Sequence, residues 1–244
     1  MRVIYVPSAR AAEYASLAVN PIIGCDHACT YCYGPATLHM SRAEFHSPRL
    51  RDNFLGNLVD DASSLAGCSD HILLGFVCDP YCHFEASSQL TRHSINILHS
   101  HNLNVSILTK GGSRATRDFA LLTHLDRFAV TLTFLRESDS LIWEKYAATP
   151  FDRIMSLRLA CERGIPTWVS LEPVIDPDQT LQLLRLTKDF VGCYYIGTLN
   201  HRKSPFDLYR FGLALADVLT GTGVHYCIKS SLMPYMPPGF PKAI

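Results

Sequence analysis

The sequence predicts an α/β fold on a parallel sheet, and three observations predict it. From Ile72 onward one phrase repeats: a short apolar run rich in β-formers, a turn, then a segment with helical periodicity. The apolar runs are continuous rather than alternating, as the strands of a parallel sheet covered by helices on its outer face or on both faces should be. The chain has 244 residues, 48% of them apolar and 18% charged, which is enough to bury a sizeable core and excludes a disordered or fibrous chain. It is expected to form one domain over residues 1–244, with a Pro-rich tail at 234–244 laid on the surface.

A first strand is expected at Leu17–Val19, and six more follow at Ile72–Val77, Val105–Thr109, Phe128–Phe134, Thr167–Glu172, Tyr194–Leu199 and Val224–Lys229. Helices are expected from Gln89, Thr116, Phe151, Asp178 and Phe206. Gly164 after Glu162 and Arg163 reads as a helix end, Pro177 with Asp178 as a helix start, and Ser204 with Pro205 as the start of the last helix. Periodicity alone leaves a barrel and a doubly wound sheet open. In both, ligands bind at the carboxyl ends of the strands, where Cys78, Asp79, Lys110, Thr133, Glu172 and Asn200 stand.

Lys plus Arg and Asp plus Glu each number 22, so a strongly basic surface is excluded and any nucleic-acid contact must be local. Local basic groups do occur, at Arg49 and Arg51, at Lys110, Arg114 and Arg117, and at His201, Arg202 and Lys203. No stretch approaches the roughly 18 apolar residues of a membrane span, and MRVIYVPSARAAEY lacks a signal peptide's apolar core. A cytoplasmic location is expected, and nine cysteines in a reducing compartment point to metal binding or catalysis.

Three of those cysteines, Cys25, Cys29 and Cys32, are spaced CxxxCxxC in NPIIGCDHACTYCYGP. A structural zinc site takes four ligands, and neither His27 nor His39 completes a familiar spacing. A 4Fe-4S cluster held by three thiolates leaves one iron open for a cofactor or substrate. Gly24 and Gly34 bracket the loop and permit its turns.

This motif, with Tyr31 before the third cysteine, resembles the signature of the radical S-adenosylmethionine superfamily. GFVCDPYCHFE, SILTKGG, VTLTF, WEKYAATPFDRI and VSLEPVIDP extend the resemblance, in order and spacing, to its spore photoproduct lyase-like branch, from about Asn20 to Asn200. The resemblance implies a partial TIM-type barrel of about six parallel βα units with outer helices, and the cluster loop at residues 20–35 after the first strand. It also implies a 4Fe-4S cluster, S-adenosylmethionine, a reductant of flavodoxin or ferredoxin type, and hydrogen abstraction from substrate by a 5'-deoxyadenosyl radical.

Residue roles follow from the same resemblance. Cys25, Cys29 and Cys32 hold the cluster, Tyr31 packs beside the adenine with Tyr33 nearby, and Lys110 pairs with the cofactor carboxylate. Asp79, with Glu85 as a weaker candidate, takes the cofactor amino group, Thr131 and Thr133 face the ribose or sulfonium, and Glu172 reaches cofactor or substrate. Cys78 is the candidate hydrogen-atom donor, although VCDPYC aligns about one residue out of register and a buried structural cysteine is the alternative; Tyr81 is a candidate radical relay. The expected substrate is a pyrimidine or modified base in nucleic acid. A small metabolite or peptide is the second reading, and a plain iron-sulfur electron carrier or zinc protein the third. The balance of charge and the short flanks of the core favour a small or flipped-out substrate.

Overall fold

The computed structural model describes residues 2–199 and 202–242. Asn200 and His201, singled out above, lie outside the described residues. One eight-stranded sheet organises the chain, with spatial order β1 (Ile4–Tyr5), β2 (Leu17–Val19), β5 (Ile72–Leu74), β6 (Val105–Thr109), β7 (Arg127–Thr131), β8 (Thr167–Val174), β9 (Cys193–Thr198) and β10 (Tyr226–Ile228). Every pair from β2 to β10 is parallel, and β1 alone runs antiparallel, against β2. β1 and β10 are not joined, so the sheet forms an open, partial barrel. A small ribbon of β3 (Ile22–Ile23) and β4 (Arg49–Leu50) stands apart from it.

Side-chain alternation along the strands separates two apolar regions. Ile72, Leu74, Val105, Ile107, Phe128, Val130, Val169, Leu171, Tyr194 and Ile196 face outward into the main core, under the helices. Each such side chain contributes roughly 1.5–3 kcal/mol by leaving water. The intervening Leu73, Ala129 and Trp168 face inward and pack with Tyr14, Phe76 and Tyr195 in the barrel lumen. Small and aromatic residues share that lumen, which leaves its carboxyl-terminal end open for a ligand.

The helices are α1 (Gly34–Thr37), α2 (Arg42–Phe45), α3 (Phe54–Ser64), α4 (His83–Ser88), α5 (Leu90–Ser100), α6 (Glu137–Trp143), α7 (Pro150–Glu162), α8 (Pro177–Thr187) and α9 (Leu208–Thr222). Thr149 caps α7 through Asp152 N, Asp176 caps α8 through Gln179 N, and Gly164 leaves α7 in a left-handed turn. The last helix starts later than Ser204–Pro205: Asp207 accepts from Tyr209 N and Arg210 N. The segment expected to be a helix from Thr116 winds as a 3-10 helix over Gly112–Leu121, its side chains tied outward through Arg114, Arg117 and Asp118. The Pro-rich tail folds back, stacking Phe240 on Tyr226 at 5.6 Å and burying Met236. Lys242 O accepts from Ile228 N, covering the edge strand β10.

Candidate functional site

A cavity of about 730 Å³ opens at the carboxyl ends of the strands, inside the range of small-molecule sites. It gathers Cys25, Cys29, Cys32, Tyr31, Tyr33, Cys78, Asp79, Lys110, Thr131 and Glu172 from separate stretches of sequence. The cysteine loop leaves β3 through Gly24, whose φ of +88° and contact with Phe45 O exclude a side chain. Cys25 N donates to Phe45 O, Cys32 N to Cys29 O, and Thr30 N to Trp143 O, so α2 and α6 frame the loop from both sides. Arg42 reaches the carbonyls of Cys29 and Cys32 at 3.4 and 3.5 Å, and Gly34 N donates to Cys32 Sγ at 3.4 Å. Burial pushes the Cys29 thiol up to about 12, against the pull of Lys110.

Lys110 closes β6 with its ammonium 5.6 Å from the Tyr31 ring centre, and it forms no ion pair among the described residues. It is a half-buried cation that shares the cavity with the three thiols and acts electrostatically on Cys29 and Cys32. Tyr31 is fixed from behind: its hydroxyl donates to Glu144 and lies 3.1 Å from Thr133 Oγ1. Thr133 therefore acts behind Tyr31, whereas Thr131 lines the cavity. Glu144 is held by Arg153 at 2.7 Å and by Ser140 Oγ at 3.1 Å, both partners buried. Burial would raise the Glu144 carboxyl, but Arg153 and Lys110 outweigh it and hold it down.

Asp79 is already engaged. Oδ1 accepts from Tyr81 N and Thr109 Oγ1 at 2.9 and 2.5 Å, Oδ2 from Lys110 N at 2.6 Å, and His27 Nδ1 lies 3.4 Å away. Burial alone would raise its pKa; His27 and these donors hold the carboxyl well below the usual range instead. Asn20 plays a matching part, its Oδ1 accepting from Phe76 N and Val77 N and lying 3.6 Å from Cys78 Sγ. Burial pushes the Cys78 thiol up.

The far wall comes from the first residues and the last strands. Tyr14 donates to Glu172 Oε2 at 2.7 Å and lies 2.7 Å from Ser170 Oγ. Lys229 Nζ lies 3.1 Å from the same carboxylate oxygen, donates to Arg10 O at 2.8 Å, and sits 3.6 Å from the Tyr14 ring centre. Glu172 Oε1 is buried without a hydrogen-bond partner among the described residues. Tyr33 is anchored through its hydroxyl to Phe76 O at 2.8 Å.

Besides Asp79, already spent on protein donors, and Thr133, which stands behind Tyr31, two further expectations change. Tyr81 lies in the hydrophobic core outside the cavity, its ring 5.4 Å from the Arg117 guanidinium, because the turn after Asp79 points it toward α4 and the 3-10 segment. Glu85 is fully buried and spent on Arg117 Nη2 at 2.7 Å and Thr91 N at 2.9 Å. Sequence reasoning missed Asn20, His27, Glu144, Arg153, Tyr14 and Lys229. WEKYAATPFDRI contains two of them, and only their spatial pairing gives them meaning.

No family model matches the chain. An uncharacterized protein of Methanocaldococcus jannaschii is 27% identical over 195 residues, covering 78% of this chain and 73% of that one. Among solved structures, a spore photoproduct lyase variant superposes with a TM-score of 0.66 at 13% identity, covering 98% of this chain and 78% of that one. Another, with bound AdoMet and dinucleoside spore photoproduct, gives 0.63 at 13% identity, covering 83% and 66%. SuiB of Streptococcus suis bound to precursor peptide SuiA gives 0.67 at 12% identity, covering 87% and 48%. The chain thus spans about half of SuiB and about two thirds of the AdoMet-bound lyase. Its fold is the partial barrel of the radical S-adenosylmethionine enzymes, in the form found in spore photoproduct lyase.

Proposed function

We propose that this protein is a radical enzyme that binds a 4Fe-4S cluster on Cys25, Cys29 and Cys32, with S-adenosylmethionine beside it, and acts on a pyrimidine or modified base in nucleic acid. The observation that carries the reading is the meeting of those three thiols with the unpaired Lys110 ammonium in one cavity. The donor set fits the group. Three cysteines on one loop suit such a cluster, whose thiolates ligate separate irons and leave one iron open. Gly34 N, aimed at Cys32 Sγ, supplies the kind of hydrogen bond that tunes such clusters.

When bound, cluster and cofactor supply a 5'-deoxyadenosyl radical that abstracts hydrogen from substrate, the electron coming from a flavodoxin- or ferredoxin-type partner. The chain's residues position and enclose. Lys110 would hold the cofactor carboxylate by a charge-assisted hydrogen bond, and Tyr31, braced by Glu144 and beside Lys110, would pack against the adenine. Thr131 and the free Oε1 of Glu172 meet ribose or amino donors. Asp79 serves as a positioning residue through Lys110 N. Cys78, a buried thiol on the cavity wall, is the residue proposed to return a hydrogen atom.

SuiB, similar in fold, is bound to a precursor peptide, so a peptide is the second reading. The test is 5'-deoxyadenosine formation by reconstituted, dithionite-reduced protein with oligonucleotide or with peptide. Stimulation by oligonucleotide is the expected result, and stimulation by peptide alone would overturn the nucleic-acid assignment.

A further inference from the structure

A second cavity, of about 510 Å³, lies where the ends of β9 and β10 meet the approach to α9. Arg10 and Leu199 line both this cavity and the central one, so the two are neighbours along one wall. Its ionisable lining is cationic: Arg10, Arg202 and Lys203, with Ser204 and Ser231 supplying hydroxyls and no carboxylate among the lining residues. Arg202 and Lys203 form no ion pair among the described residues. Two acids of adjoining segments have other partners: Asp207 caps α9, and Glu13 holds Ser230 and Lys242. Ser231 Oγ accepts from Thr198 N, which leaves its hydroxyl proton to donate.

We propose that this side cavity binds a phosphate group of the substrate whose reacting part occupies the central cavity. Clustered cations and hydroxyl donors without a competing carboxylate fit a phosphate oxyanion. The loops after the last strands of α/β barrels are a recurrent place for such sites. The shared wall at Arg10 and Leu199 would let one molecule fill both spaces, so the group would serve as a handle that sets which part of the substrate reaches the thiol side. This deepens the nucleic-acid reading above and rests on it only for the source of the phosphate, a nucleic-acid backbone rather than a free nucleotide.

The test uses anaerobically reconstituted protein and fluorescein-labelled five-residue oligothymidylate, followed by anisotropy across a salt series, with thymidine 5'-monophosphate and thymidine as competitors. The double variant Arg202→Gln, Lys203→Gln should bind the oligonucleotide at least tenfold more weakly, and its log-affinity against log-salt slope should flatten by about 1.4, two single-strand phosphate contacts. Lys203→Gln alone should give an intermediate loss. A methylphosphonate oligonucleotide should not distinguish variant from parent, and S-adenosylmethionine affinity should be equal in both, which reports an intact central site. Equal oligonucleotide affinity and slope in parent and double variant would overturn the phosphate subsite. If the parent binds no oligonucleotide but thymidine 5'-monophosphate binds in an Arg202- and Lys203-dependent way, the subsite stands and the nucleic-acid source falls. If neither phosphate probe binds the parent, the subsite is overturned whatever the outcome for S-adenosylmethionine cleavage.

Discussion

Lys110 and Asp79 show how one residue's role depends on another's saturation. The Asp79 carboxylate faces protein donors and His27 around it, so its work is to hold the end of β6, while Lys110 is left with an unpaired ammonium. Lys110→Ala should therefore weaken S-adenosylmethionine binding by about 10- to 100-fold, the worth of a hydrogen bond to a charged group, with iron and sulfide content unchanged; calorimetry on reconstituted protein reads the affinity, and colorimetric iron and acid-labile sulfide assays read the content. Asp79 has a folded-state pKa below its unfolded value, so its contribution is complete above the unfolded value near ~4 and is lost as pH falls through the folded one. The stability difference between parent and Asp79→Asn should be constant from neutral pH down to about 5 and shrink below about 4, as followed by urea unfolding; a difference that grows on acidification would contradict the assignment. The cysteines were legible because their signal is local spacing. Glu144, 113 positions from the Tyr31 it braces, was not, since nothing in either segment alone specifies the pairing.

Elements were legible where burial is two-sided. Continuous apolar runs marked β5 to β10, Gly164 marked the end of α7, and Pro177 with Asp178 marked the start of α8. The short α1, α2 and α6 were not foreseen, because tertiary ties to the cysteine loop hold them in place of a long amphipathic stripe. Glu144, just after α6, and Arg153 of α7 form a buried pair that joins the helical layer to Tyr31 and to Thr131 O. Glu144→Gln leaves Arg153 charged and buried, so a loss of about 3–5 kcal/mol is expected. Arg153→Met in that background should recover part of it; denaturant midpoints of the two variants check this.

At the scale of the whole molecule, an open parallel barrel places every strand end around one cavity, and the first and last segments complete its rim. Lys229 at the last strand reaches Glu172 and the Arg10 carbonyl, tying the beginning of the chain to its end. Barrel and doubly wound sheet were indistinguishable by periodicity, because both use the same buried strands; strand pairing over long range decides, and local pattern does not encode it. The basic pair Arg202 and Lys203 was legible as a local group despite the balanced charge, whereas the cavity it lines was not. The central claim is that the three-thiol loop and Lys110 serve one reductive cleavage. The most direct measurement is 5'-deoxyadenosine formation by the reconstituted, dithionite-reduced parent and by Cys29→Ala. Product from the parent and none from the variant, with its iron lost, is the predicted result. No product from a parent with an intact, reduced cluster, or undiminished product from Cys29→Ala, would contradict it.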